Sequence, residues 1–162
     1  MDDPLSSADM QRWLPGTPVM VYSDLAQFKT IDDALGSRKQ MVFLYLTSKM
    51  YGHWVCVFRR GQTISVFDSL GYVPDDELSF IPAHFRRVSN QERPHLSYLL
   101  ESSPYRIEYN NWALQKDSPR IATCGRHCIV RLAFKNMGAD AYARMLLGSG
   151  NPDQFVVDVL RK

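Results

Sequence analysis

The longest apolar run is Met41–Leu46 (MVFLYL), of strand length with no polar interruption, which predicts a strand covered on both faces. Trp54–Phe58 (WVCVF) and Thr63–Phe67 (TISVF) follow, separated by the turn-forming stretch Arg59–Gln62. Strand, tight turn and strand predict a hairpin, and therefore antiparallel neighbours in one sheet. The start of its first strand then lies beside the end of its second. His53 occupies the one and Asp68 follows the other, so the register brings them to a common edge. Val19–Tyr22 is a short extended run, and Arg106–Asn110 reads as a further strand with 111–114 as a continuation.

Helical patterns occupy much of the remainder. Ser6–Trp13 is a short helix capped by Ser6 or Ser7 and stopped by Pro15-Gly16. Asp24–Phe28 and Ile31–Leu35 are short helical or irregular pieces, the second ended by Gly36-Ser37. Pro74–Leu78 reads as a helix start with Pro74 at the first helical position and acids in the first turn. Residues 81–98 carry no clear period, although Leu96–Leu100 resembles the end of a helix. Ala139–Leu147 is closed by Gly148. Asn151-Pro152-Asp153 opens a last helix with an apolar stripe of Phe155, Val156, Val159 and Leu160, and Arg161 and Lys162 at its negative end. These elements predict an α+β fold, a central mostly antiparallel sheet flanked by helices, in one domain spanning 1–162.

The stretch 122–132 (ATCGRHCIVRL) changes the picture, because it delivers a cysteine to the first turn of a helix. Thr123 is the expected N-cap, with its hydroxyl accepting from a free N–H. Ile129, Leu132 and Ala133 face the core. Cys124 then lies at the positive end of the helix, where free N–H groups and the macrodipole favour a thiolate. Alone, such a cysteine is as readily a small buried hydrophobe. Cys56 and Cys128 read as core.

Composition narrows the options. A formal charge of +2 gives no argument for a nucleic-acid partner. No apolar run approaches the ~20 residues that span a bilayer, and the acidic start MDDP lacks the apolar segment of a signal peptide. Three cysteines without a CxxC pair indicate neither a disulfide framework nor zinc, which fits a reducing, intracellular setting.

Four residue types for acyl transfer therefore occur in the order His53, Asp68, Gln115, Cys124. A cysteine nucleophile needs a base, the base needs a group that fixes its tautomer, and the oxyanion needs donors. The segments Gly52-His53-Trp54-Val55, Phe67-Asp68-Ser69-Leu70-Gly71, Gln115 and Thr123–Cys128 (TCGRHC) resemble the adenovirus protease (adenain) family, and more broadly the Ulp1/SENP clan of cysteine proteases. The resemblance runs from about Val42 to about Phe134.

The resemblance implies a cysteine protease fold with Cys124 as nucleophile, His53 as general base and later acid, and Asp68 orienting His53. Gln115 would donate to the oxyanion together with the Cys124 N–H, with Asn110 and Asn111 as alternative amides. Gly52, Trp54 and Thr123 would line the substrate cleft, Trp54 packing on its floor. The stretch between Gln115 and Cys124 is longer than the clan's usual spacing, and the chain is short for the family.

The implied activity is endopeptidase cleavage of viral capsid or core precursors beside small residues, often Gly, during virion maturation. The alternatives are an isopeptidase removing ubiquitin-like modifiers after Gly-Gly, and a non-catalytic binding protein on the same fold. The implied enzyme is a monomer without membrane contact, active in the host cytoplasm or nucleus or packaged in the virion. It requires no cofactor or metal, and activation by a peptide or by weakly bound DNA is a further implication.

Overall fold

The computed structural model describes residues 3–49, 51–116 and 122–161. A five-stranded sheet runs through the molecule in the order β1 (Val19–Val21), β2 (Gln40–Leu46), β3 (Gly52–Arg60), β4 (Thr63–Phe67) and β5 (Arg106–Tyr109). The fold is α+β, as the pattern predicts, but the sheet is mixed. β2–β3 and β3–β4 are antiparallel, whereas β1–β2 and β4–β5 are parallel. The expectation of a mostly antiparallel sheet is corrected at the two outer pairings. Their connections carry helical segments, which return the chain to the end it left and so make parallel neighbours.

Strand alternation sends side chains to two cores. Val42, Trp54, Cys56, Phe58 and Phe67 pack on one face against α1 (Ser7–Trp13), α5 (Cys124–Ala133), α6 (Ala139–Gly148) and α7 (Pro152–Leu160). Met41, Phe43, Tyr45, Val55, Val57 and Ile64 face the other way, towards α2 (Ile31–Leu35), α4 (His95–Glu101) and two 3-10 segments, Tyr22–Gln27 and Asp76–Phe80. A short helix, α3 (Ala83–Val88), joins that second layer. A sheet covered on both sides explains why β2 and β3 show apolar runs instead of alternation.

Several local expectations hold and others shift. Ser6 caps α1 in a capping box with Asp9. Asn151 caps α7, with Pro152 opening it. The hairpin turn is only Gly61-Gln62, since β3 extends through Arg60. Pro74 does not open a helix. Asp75 adopts a left-handed conformation (φ 70°), and a 3-10 turn begins at Asp76. Residues 111–114 do not continue β5. Gly148 lies inside α6, and the left-handed residue beyond it is Gly150 (φ 86°). The segment without a legible period contains α3 and most of α4.

Arg131 is an unforeseen core residue, 1% exposed. Its guanidinium lies 4.8 Å from the Phe58 ring and 4.7 Å from the Tyr142 ring. It donates to the carbonyls of Phe134 and Met137, both at 2.9 Å. A buried charge is tolerable here because the C-cap carbonyl of α5, the Met137 carbonyl beyond it and two ring faces replace its hydration.

Candidate active site

The site forms at the end of the β3–β4 hairpin, where α5 begins. His53 is the second residue of β3, opposite Tyr45 of β2, and Asp68 immediately follows β4. As the hairpin argument requires, the two meet: His53 Nε2 lies 2.8 Å from Asp68 Oδ1. Asp68 Oδ1 also accepts from the Leu70 N–H at 2.9 Å, which fixes the carboxylate within its loop.

Cys124 comes to the same place from α5. The Trp54 N–H donates to its Sγ at 3.4 Å, and the His53 side chain hydrogen-bonds it. With Nε2 on Asp68, Nδ1 is the ring nitrogen left for the sulfur. Burial by itself raises a thiol, but the His53 hydrogen bond and charge, with the Trp54 and Gly125 N–H groups, outweigh it and lower the Cys124 pKa. His53 shows the complementary balance. Burial disfavours its charged form, yet the Asp68 carboxylate and the Cys124 sulfur hold its pKa well above the ordinary imidazole range. Both directions favour carrying the proton on His53, beside the Asp68 carboxylate, over carrying it on the Cys124 sulfur.

Gln115 reaches the site through backbone pairing. The N–H groups of Leu114 and Gln115 both donate to the Ser69 carbonyl at 2.8 Å. The Ser69 hydroxyl donates to Gln115 Oε1 at 2.6 Å, which turns the amide so that Nε2 is its donating end. Gly71 permits this crossing. It has φ 86°, and a Cβ there would lie 2.9 Å from the Trp112 carbonyl carbon. Asn110 is committed elsewhere, with Nδ2 donating to the Asp68 and Trp112 carbonyls and Oδ1 accepting from the Trp112 N–H. Asn111 is exposed. Of the three amides, Gln115 is the buried one held by the loop that follows Asp68 through its Ser69 contacts. The stretch from Gln115 to Cys124 lies partly outside the described residues, at 117–121.

The residues expected to line a cleft have the following partners. Trp54 is buried, and its indole N–H donates to the Leu5 carbonyl at 3.0 Å. Gly52 pairs with Leu46, and a Cβ there would sit 2.3 Å from the Tyr45 carbonyl oxygen. Thr123 holds the N-cap position of α5 but makes no side-chain cap. Its hydroxyl donates instead to Asp153 Oδ1 at 2.6 Å. A hydrogen bond to a charged group is worth about 1.5–3 kcal/mol against about 1 for a cap, so the carboxylate wins.

Asp153 is the partner that sequence reasoning missed. It also accepts from His127 Nε2 at 2.9 Å and from the Lys116 N–H at 3.0 Å. Burial lowers the His127 pKa, so His127 is a neutral donor engaged with Asp153, not a rival base for Cys124. Helix pattern placed Asp153 in a first turn, where an acid needs no other reason to be.

Glu77 was missed as well. Its carboxyl is buried, with Oε1 3.6 Å from His53 Nε2. One ligand atom each from His53, Asp68 and Glu77 lie within 4.8 Å of one another. The His53–Asp68 contact at 2.8 Å is of hydrogen-bond length, shorter than the roughly 3.3 Å between two ligands of a tetrahedral ion at ~2.0–2.1 Å. Beside the site, a cavity of about 720 Å³ is lined by Leu70, Tyr72, Leu114, Leu147 and the polar residues Gln115 and Asp153 among others.

No protein-family model matches the chain. It is similar to a Sputnik virophage protein, "Uncharacterized protein V9", with 41% identity over 135 residues, covering 82% of this chain and 77% of that one. The chain belongs to the V9 family of viral proteins. Among the described residues of this V9 relative, no helix is long and apolar enough to cross a membrane.

Proposed function

We propose that this V9-family chain is an adenain-like cysteine peptidase that cleaves peptide bonds through a thioester on Cys124. The observation that carries this reading is the buried relay in which Cys124 contacts His53 and His53 Nε2 meets Asp68 at 2.8 Å. In this reading the Cys124 thiolate attacks the scissile carbonyl. The oxyanion is held by the Cys124 N–H, one of the unsatisfied donors at the start of α5, and by Gln115 Nε2. His53 gives its proton to the leaving amine. It then takes one from the water that hydrolyses the thioester, and Asp68 keeps the imidazolium oriented throughout.

Kinship with a virophage protein supports a viral precursor as substrate over a cellular ubiquitin conjugate. The deciding experiment is alkylation of the native protein with iodoacetamide from pH 5 to pH 9, the modified residue being located by mass spectrometry. Fast labelling of Cys124 alone at pH 6, abolished in His53→Ala, is the expected result. Labelling with a midpoint near that of a free thiol, about 8.5, would sink the peptidase reading. A Gly-Gly ubiquitin-like fusion cleaved in preference to viral capsid precursors would redirect the substrate to modifier removal.

A further inference from the structure

Asp68 has two carboxylate oxygens, and the relay accounts for one. Oδ1 takes both His53 Nε2 and the Leu70 N–H. Oδ2 is buried with no conventional donor, and so is Oε1 of the neighbouring Glu77. Two buried carboxylates side by side, each with an unmatched oxygen, cannot both be ionised at tolerable cost. With one ligand atom of each within 4.8 Å of the other, a single proton held by the pair removes the repulsion between them. It resides on Glu77, because Asp68 is the one paired with the imidazolium.

The position of Glu77 is built and not incidental. Asp75, in its left-handed conformation, accepts from the hydroxyls of Tyr22 (2.5 Å) and Tyr45 (3.1 Å) and from the N–H and hydroxyl of Ser97 (2.8 and 2.6 Å). Tyr45 is also the cross-strand neighbour of His53. The 3-10 turn that carries Glu77 is thus fastened to the strand beside the relay. Glu77 is faced by His53 from β3, by Asp68 from the loop after β4, and by Tyr45 from β2.

We propose that Glu77 is a positioning residue of this site, a protonated carboxyl that donates to Asp68 and thereby keeps Asp68 ionised and aimed at His53. The proposal rests on the reading of Cys124, His53 and Asp68 as a peptidase relay. Electrostatics agree with it. Burial, then the hydrogen bond and charge of Asp68, push the Glu77 carboxyl up to about 10, while Asp68 is held low by His53 and Glu77 against its own burial. At neutral pH Glu77 is neutral, and its hydrogen bond stabilises the charged form of Asp68.

Two measurements test it. Infrared spectroscopy of the whole chain at pH 7 should show the C=O stretch of a buried protonated carboxyl, lost in Glu77→Gln. This readout does not depend on any activity. Iodoacetamide labelling of Cys124 should fall about tenfold at pH 7 in Glu77→Leu, which keeps bulk but removes the donor, as expected for roughly one unit of lost thiolate stabilisation. Glu77→Gln, whose amide still donates, should stay within about threefold of wild type on the same scale.

If Glu77→Leu does not fold by circular dichroism, the infrared band and the Gln variant still decide. Absence of the band in wild type would overturn the proposal, as would equal labelling in the wild type and Glu77→Leu. So would stoichiometric binding of added zinc that Glu77→Gln abolishes, since the three side chains would then share a cation. Ordinary thiol labelling in wild type with the infrared band present would remove the peptidase reading instead.

Discussion

The Thr123 hydroxyl donates to Asp153 Oδ1 at 2.6 Å, joining the residue before Cys124 to the first turn of α7. The same carboxylate holds His127 and the Lys116 N–H, so one acid fastens α5, α7 and the strand-end segment that carries Gln115. Asp153→Ala would leave buried donors on Thr123 and His127 unpaired. We expect a loss of about 3 kcal/mol of stability, read as a lower urea midpoint with unchanged slope.

Acid should have a related effect. Burial raises the Asp153 carboxyl, but donation from His127, Thr123 and Lys116 outweighs it and lowers the pKa below 3.8. A depressed acid contributes stability that is present above its unfolded pKa and lost as pH falls through the folded one. The stability difference between wild type and Asp153→Ala should therefore be full at neutral pH and shrink below about pH 4. A difference that does not change down to pH 2 would contradict the role given to the carboxylate.

Gln115 and Cys124 make separable contributions in the proposed mechanism. Gln115→Ala removes a donor needed only when negative charge develops on the substrate oxygen. Hydrolysis of a fluorogenic Gly-Gly peptide amide should fall by about 10²–10³ in kcat with little change in KM. Iodoacetamide labelling of Cys124, which builds no oxyanion, should persist. Ser69→Ala removes the hydroxyl that holds Gln115 Oε1 and should give an intermediate loss. Equal loss of labelling and turnover in Gln115→Ala would mean that Gln115 supports the fold and not the oxyanion.

The parts of this site that were legible in the sequence are those fixed by short-range geometry. A hairpin pairs the ends of its strands, so His53 and Asp68 could be brought together from pattern alone, although the turn proved shorter than the Arg59–Gln62 stretch. Cys124 could be placed at a helix start because apolar spacing resumes directly after it. Glu77 and Asp153 were not legible for the opposite reason. Each sits in the first turn of a helical segment, where an acid is locally satisfactory, and its buried role depends on contacts from distant strands or helices. Thr123 shows the same conflict in miniature, since a local cap and a tertiary carboxylate compete for one hydroxyl. The parallel edges of the sheet carry no local signature at all. Strand direction at β1 and β5 follows from connections whose helices were only partly visible.

Gly71 offers a test of the loop that holds Asp68 and Ser69. At φ 86°, with the Trp112 backbone against its missing side chain, this position excludes a Cβ on two grounds. Gly71→Ala should cost about 1–3 kcal/mol in backbone strain alone. It should also slow Cys124 labelling, because the Ser69 carbonyl would shift from the Leu114 and Gln115 N–H groups and carry Asp68 with it. A variant as stable as wild type would show that the crossing of the two segments is looser than the geometry implies.

Alkaline pH should weaken the fold through Glu77. Its carboxyl is raised from 4.5 to about 10, first by burial and then by Asp68. A group raised on folding contributes stability that is full below its unfolded pKa and lost as pH rises through the folded one. Between those two values the folded state holds a proton that the unfolded chain has released. Unfolding free energy should therefore fall by up to about 1.4 kcal/mol per pH unit from this group. His53, also raised, adds a loss of the same sign above its unfolded value of 6.5. Glu77→Gln has no proton to lose, so subtracting its urea-derived stability profile from that of wild type isolates the Glu77 part. The difference should slope downward across the window from about pH 5 to pH 9. A flat difference would mean that Glu77 is ionised in the folded protein, with Asp68 left to share its charge.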